Sequence, residues 1–337
     1  MCSSPSVAAV RFRRPSPWCD DTTAAGRTGS REWGDRPALT LPPDHAEGRR
    51  LYGGDPGGYA DGRPGYPERV YGLLAESGLR PGCRVVEIGP GTGLATRRLL
   101  AAGAHVTAVE ASPAMAEYLQ RTSGEQGLEI VCRPFEDAGL ARDAYDLAVA
   151  ATSYHWVTQP AGWQALTRAL RPGAWAVIWW MLFDDPTSPD AFDLASQSIL
   201  GGSPTIPEGA GAVPFQIDVA ARTADMTEAG LADVSAELIK SKHGLTASQI
   251  RRLYATLAIV LRRPKPEQTR LLDRLEQLVH QRFGGSVERS FLTAVYRGRK
   301  LHHRGSSSVP VTGPSRARDP VPCHNSLIAA DQALCAR

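Results

Sequence analysis

The sequence predicts a doubly wound α/β domain that begins near Tyr59. Short apolar runs alternate with segments of helical period from about residue 67 to residue 181. A glycine-rich turn, Gly89-Pro90-Gly91-Thr92-Gly93, joins the first run to the first following helix. The run at 174–181 is apolar throughout, so both of its faces need cover. Strands that alternate with helices imply a parallel sheet wrapped on both sides.

Each element has its own signal. Residues 67–77 place apolar side chains at helical spacing, with Pro67 suited to a first turn. Residues 84–88 form a strand and 94–102 a helix; 105–109 a strand and 113–121 a helix; 128–132 and 146–151 are strands. A helix over 163–170 ends at Arg171-Pro172-Gly173, a stop signal. Beyond Asp184-Asp185-Pro186 the rhythm changes: 199–221 reads as loop with at most one helical turn, and 234–240 as a strand. Segments 246–261 and 266–283 read as helices, the second with a stripe through Leu271, Leu272, Leu275, Leu278 and Val279. Gly284-Gly285 stops it, and 291–296 alternates as a last strand.

The 337 residues suffice for a sizeable core, and 42% hydrophobic with 22% charged content is ordinary for a soluble globular chain. A net charge of +3 with scattered basic residues does not point to nucleic acid or a membrane surface. No apolar run approaches the roughly 18–20 residues needed to cross a bilayer. Residues 1–50 and 301–337 are rich in Ser, Pro, Gly and Arg without hydrophobic period and read as disordered tails around a domain at 51–300. None of the six cysteines forms a CxxC pair or stands at zinc-ligand spacing, so the expectation is reduced thiols in a cytoplasmic protein and no metal site. Cys83 and Cys132 are expected to be buried.

The chemistry concentrates at 85–93. A buried strand runs into a turn whose glycines let a ligand approach the backbone, and free N–H groups stand at the helix start. A dinucleotide site prefers GxGxxG/A, with a small third residue under the pyrophosphate. Here the spacing is Gly89-x-Gly91-x-Gly93, and Leu94 occupies the third-small position. Glu87 would repel a phosphate but suits the ammonium of an amino-acid moiety. Glu110 follows the second strand and can accept hydrogen bonds from ribose hydroxyls. S-adenosylmethionine (SAM) carries an ammonium, a ribose and no phosphate.

The blocks Glu87–Gly93, Glu110-Ala111-Ser112, Phe135-Glu136-Asp137, Tyr145-Asp146-Leu147 and Leu170-Arg171-Pro172-Gly173 resemble, in order and spacing, those of class I SAM-dependent methyltransferases. Tyr59, the Arg63-Pro64-Gly65-Tyr66-Pro67 run and Ala151-Thr152-Ser153-Tyr154-His155-Trp156 look like the type 11, ubiquinone/menaquinone-biosynthesis-like small-molecule branch. The resemblance implies a Rossmann-like sheet of seven strands, the seventh antiparallel and inserted. It implies SAM as cofactor, with Glu87, Gly89, Gly91 and Gly93 around its methionine part. Glu110 would hold the ribose, with Ala111, Ser112, Phe135 and Glu136 bordering the adenine, the last two largely through backbone groups. Thr152 and His155 would face the methyl group and the acceptor, and Tyr59 and Arg63 would close over the cofactor. Pro134 stands where many relatives carry an acid, which removes one adenine contact. From its place after the fifth strand, the stretch 187–283 is expected to supply helices that cap the site and select a small-molecule acceptor.

An oxygen or nitrogen acceptor can require a general base, and His155 is the candidate by position. The competing reading gives His155 and Trp156 a packing role in the loop. Likewise Trp175, Trp179 and Trp180 read as strand core, and Asp184 and Asp185 as a solvated loop end. Two rival functions remain open at this point: an NAD(P)-dependent oxidoreductase, and a catalytically degenerate SAM-binding regulator.

Overall fold

A computed structural model describes residues 48, 51–124, 126–202 and 213–301. The two tails expected to be disordered lie outside the described residues, apart from Gly48 and Leu301. The strands are β1 (Arg84–Ile88), β2 (His105–Glu110), β3 (Leu128–Cys132), β4 (Tyr145–Ala151), β5 (Leu170–Leu182), β6 (Leu231–Thr246) and β7 (Ser286–Lys300). They form one seven-stranded sheet in the order β3-β2-β1-β4-β5-β7-β6. The first five pair in parallel, while β7 lies between β5 and β6 and runs antiparallel to both. The chain therefore builds outwards from β1 in both directions. That reversal of strand order opens a crevice at the carboxyl ends of β1 and β4, where open α/β sheets bind ligands.

Helices α1 (Pro56–Gly62) and α2 (Glu68–Glu76) precede β1, α3 (Thr96–Ala101) joins β1 to β2, α4 (Pro113–Thr122) joins β2 to β3, and α5 (Ala161–Ala169) joins β4 to β5. Strand alternation divides the core between the two faces. Val85, Leu147, Val149, Val177 and Trp179 face Val70, Leu73 and Leu74 of α2, Leu99 of α3 and Leu119 of α4. Val86, Ile88, Ala148, Ala150, Ile178 and Trp180 face the other way, onto Leu166 of α5, Phe135 and Tyr154. Glu87 falls among the first set by the same alternation, so the fold itself drives this carboxylate into the interior.

A third cluster lies beyond the carboxyl end of β5. It joins Phe183 and Phe291 to α6 (Ala191–Leu200), α8 (Ala247–Ala255), α9 (Ala258–Leu261) and α10 (Lys265–Phe283). The stripe expected on the last helix is buried here through Leu271, Leu275 and Val279. Asp190 caps α6, accepting from the N–H groups of Phe192 and Asp193, and Thr246 with Gln249 forms a capping box on α8.

The tertiary structure corrects the sequence reading in several places. Within 199–221, Phe215–Ile217 is a 3₁₀ turn and α7 (Val219–Glu228) already begins, with Met226 fully in the core. The single helix expected at 246–261 is two, α8 and α9, because the chain turns at Thr256-Leu257. Arg171-Pro172-Gly173 stops the helix but lies inside β5, where the pairing with β4 is irregular between Tyr145 and Leu147. Strands β6 and β7 extend well past 234–240 and 291–296, since each continues as an antiparallel partner of the other. The cap stretch 187–283 contains the whole of β6, so its helices come in two pieces flanking a sheet strand. Cys83 is buried and Cys132 partly exposed. Asp184 and Asp185 are not solvated: both are buried, and Asp185 pairs with Lys240 at 2.7 Å and accepts from Thr187. A backbone that leaves β5 under α6 carries these two residues inward.

Candidate active site at the strand tips

At the end of β1 the backbone enters the left-handed region at Gly89, Gly91 and Gly93, with φ of +62°, +57° and +84°. Two of these positions show why glycine is required. A Cβ on Gly89 would lie 2.7 Å from that of Ser153, the residue after Thr152 at the tip of β4. Ser153 occupies that space to donate its hydroxyl to the Ile88 carbonyl. A Cβ on Gly91 would instead project into open space, so the loop there presents bare backbone to the crevice.

Two carboxylates frame the loop. Glu87 is fully buried, and its Oε2 accepts from Thr96 Oγ1 at 2.6 Å. Its Oε1 is buried without a partner among the described residues. Burial, and secondarily the charge of Glu110, pushes the Glu87 carboxyl up to about 7. Glu110 accepts from Ser112 N at 2.8 Å through Oε1 and from Gly91 N at 2.9 Å through Oε2. Burial raises its pKa, and the backbone N–H groups of Ser112, Gly91 and Ala111 oppose that rise. The backbone thus occupies part of the Glu110 carboxylate and leaves acceptor capacity over. The Glu110 side chain fixes the glycine loop while remaining able to accept from a ligand.

A second group gathers after β4. Thr152 has φ of +57°, an outlying conformation for a β-branched residue. It is held there by its N–H to the Trp179 carbonyl at 2.7 Å and by its Oγ1, which accepts from Met181 N at 3.3 Å. Tyr66 hydrogen-bonds the Thr152 side chain, and burial raises the Tyr66 phenol well above its ordinary value, so it stays protonated. His155 Nδ1 accepts from Trp180 Nε1 at 3.0 Å. Desolvation lowers the His155 pKa to about 4.

A third group joins the segment around α1 to Trp156 and to the cap. Tyr52 meets Tyr59 at 5.7 Å and Trp156 at 5.9 Å between ring centroids, both edge-on. The Arg63 guanidinium lies 4.7 Å from the ring centroids of Tyr59 and of Phe183, and its Nη2 donates to the Thr256 carbonyl at 2.9 Å. Arg63 Nε is buried without a partner among the described residues. The segment carrying Tyr59 and Arg63 is seated tightly against the cap, because a Cβ on Gly62 would come within 2.5 Å of the Arg252 carbonyl in α8.

The remaining residues singled out from sequence are distributed unevenly. Ser112 is buried beside Glu110, with Ala111 between them at the tip of β2. The Phe135 ring is packed in the core, and Glu136 accepts from Thr158, so neither side chain is held towards Glu110. Sequence reasoning passed over Thr96, Ser153, Phe183 and Thr256 as site neighbours and treated Trp180 as core alone. Ser153 stands inside the block that ends at Trp156, whereas the other four belong to no local motif and are delivered by strand register and helix packing. Among the described residues no group of three or more His, Cys, Asp or Glu side chains could hold a metal ion.

Known proteins match this description. The profile of a methyltransferase domain family matches residues 86–178. An uncharacterized methyltransferase, Rv3342 of Mycobacterium tuberculosis, is 31% identical over 134 residues, covering 40% of this chain and 53% of that protein. The methyltransferase tpcM of Aspergillus fumigatus is 32% identical over 147 residues, covering 41% of this chain and 46% of that protein. The chain thus spans about half the length of the curated relatives it matches. A solved structure from Anaeromyxobacter dehalogenans, assigned to the type II methyltransferases, superposes with a TM-score of 0.52 at 21% identity, over 72% of this chain and 99% of that one. The sheet order, the inserted antiparallel β7 and the glycine loop between two strand-tip carboxylates define a class I SAM-dependent methyltransferase fold. Within that class, residues 86–178 are similar to the type 11 methyltransferase family, whose profile they match.

Proposed function

We propose that this chain moves the methyl group of SAM to a small-molecule acceptor. The observation that carries the cofactor assignment is the pairing of a buried, half-satisfied Glu87 with a Glu110 that keeps acceptor capacity, on either side of an open Gly91. An unpartnered buried carboxylate oxygen is costly unless a donor arrives. An ammonium meets that need at Glu87, and vicinal hydroxyls meet it at Glu110. A dinucleotide pyrophosphate would bring negative charge to the same place, which favours SAM over NAD(P).

Bound SAM would supply an activated methyl group on a cationic sulfur. The residues of the chain then bind, orient and exclude water. Glu87 would hold the amino-acid end and Glu110 the ribose. Ala111, Ser112 and the backbone at Phe135 and Glu136 would border the adenine. Thr152 and His155 would face the acceptor, and Tyr59 and Arg63 would cover the site from the α1 side. The small-molecule reading is supported by that covering: Arg63 links α1 to the cap through Thr256. Incubating the chain with tritiated-methyl SAM and cell extract, then separating small molecules from RNA and protein, tests it. Label recovered only in RNA or protein would refute a small-molecule acceptor.

The raised Glu87 pKa predicts a pH dependence. In the free protein the carboxyl ionises near 7 rather than 4.5, so the folded state binds the extra proton and stability falls as pH rises from about 4.5 through 7. An ammonium ligand favours the ionised form. SAM affinity measured by calorimetry should therefore rise up to about tenfold per pH unit between pH 5.5 and 7. Glu87→Gln should flatten that profile; an unchanged slope in the variant would place the linked proton elsewhere.

A further inference from the structure

The Trp180–His155 contact decides what His155 can do. An indole Nε1–H is a donor only, so the Nδ1 that receives it carries the lone pair. A neutral imidazole with its lone pair on Nδ1 has its proton on Nε2. Trp180 is buried on β5, with its ring wedged edge-on between Phe215 at 5.6 Å and Tyr296 at 5.8 Å. It cannot turn away without leaving its own N–H unsatisfied. On the other side, His155 lies 4.9 Å from Trp156, which in turn meets Tyr52. The imidazole is thus fixed in position by rings and in tautomer by a hydrogen bond.

We propose that Trp180 sets His155 as a neutral donor at Nε2, so that His155 orients the methyl acceptor through that N–H instead of removing a proton from it. The inference rests on the methyltransferase reading for the presence of an acceptor, but the tautomer stands independently. Trp180 is the positioning residue, and its action passes through the imidazole. The charged groups around this turn leave the arrangement alone. Glu136 and Asp225 act on the neighbouring Tyr154, and Arg222 stacks on Phe215, behind Trp180. Burial also favours the neutral ring.

The acceptor class follows. Among the other protonatable groups at the strand tips, Tyr66 stays a phenol, Asp185 is paired with Lys240, and the cofactor reading occupies Glu87 and Glu110. An acceptor that must surrender a proton to His155 before reacting is disfavoured. One that arrives with its lone pair free fits: a phenolate, a thiolate or a neutral amine bearing a hydrogen-bond-accepting atom beside the reacting one.

The test is nuclear magnetic resonance of the full chain labelled with [15N]histidine, with His155 assigned by its loss in His155→Gln. The expected result is a single Nε2–H tautomer that does not titrate between pH 5.5 and 8. In Trp180→Phe, an Nδ1–H population should appear. A wild-type His155 that titrates near its ordinary value, or that carries its proton on Nδ1, would overturn the proposal even if Trp180→Phe fails to fold. Calorimetry with SAM on the same sample keeps the two readings apart. Absent SAM binding would sink the cofactor reading, and intact binding with a titrating His155 would sink this inference alone. In the tritium assay, His155→Gln supplies another neutral N–H and should lose no more than about tenfold in transfer. Loss of a general base costs about 10²–10⁴-fold, and a loss of that size would count against the donor role.

Discussion

Arg289→Ala is expected to destabilise the chain by about 3–5 kcal/mol, the cost of leaving buried charges without their partner. Arg289 projects from β7 and is fully buried. Its Nε donates to Asp190 Oδ2 at 2.9 Å and its Nη2 to the Phe183 carbonyl at 2.9 Å, with a further contact to Asp193. Nη1 reaches Tyr254 Oη at 3.3 Å, and the guanidinium lies 4.6 Å from the Phe192 ring centroid. One side chain thereby ties the start of α6, the end of β5 and α8 to the sheet. Asp190 uses its other oxygen to cap α6 and also accepts from Ser290 N at 2.8 Å. Removing the guanidinium strands two carboxylates in a low-dielectric interior. Thermal unfolding should shift down by about 6–20 °C for a domain of this size. Arg289→Lys keeps the charge but not the fork and should recover only part of the loss. A midpoint unchanged in Arg289→Ala would mean that the cap is held by its apolar cluster alone.

Glu110→Ala is expected to weaken SAM binding by about two orders of magnitude. Hydrogen bonds to a charged group contribute about 1.5–3 kcal/mol each, and a ribose offers two hydroxyls. Part of the loss arises inside the protein, because the N–H groups of Gly91 and Ser112 lose their acceptor as well. Glu110→Gln separates the two contributions. It keeps one oxygen for the loop and loses the charge, so its affinity should fall between wild type and alanine. Calorimetry with SAM reads the effect, and circular dichroism checks that the variants stay folded. A dissociation constant within twofold of wild type in Glu110→Ala would remove the ribose from this position.

Much of this was legible in the chain itself. The strand at 84–88, the glycine turn and the acid after the second strand carry their signals within a few residues, because turn geometry and strand alternation are local. Glu87 and Glu110 could be paired from spacing alone, since parallel strands joined by one helix bring their tips together. What spacing could not reveal is that Glu87 is half-satisfied, which depends on Thr96 standing at the first position of α3. The long partners β6 and β7 were underestimated because their pairing is with each other. Their outer halves lack a local apolar pattern and are strands only in company.

By itself the sequence determined a Rossmann-like sheet, its glycine loop, and the two carboxylates that flank it. Periodicity and glycine placement encode these within short windows. Only the tertiary structure decided that Arg289 would be the buried tie of the cap, that Arg63 would sit between Tyr59 and Phe183, and that Trp180 would reach His155. Each of those contacts joins residues from separate elements, where burial, register and donor geometry set a side chain's chemistry. A residue's neighbours in the chain do not carry that information.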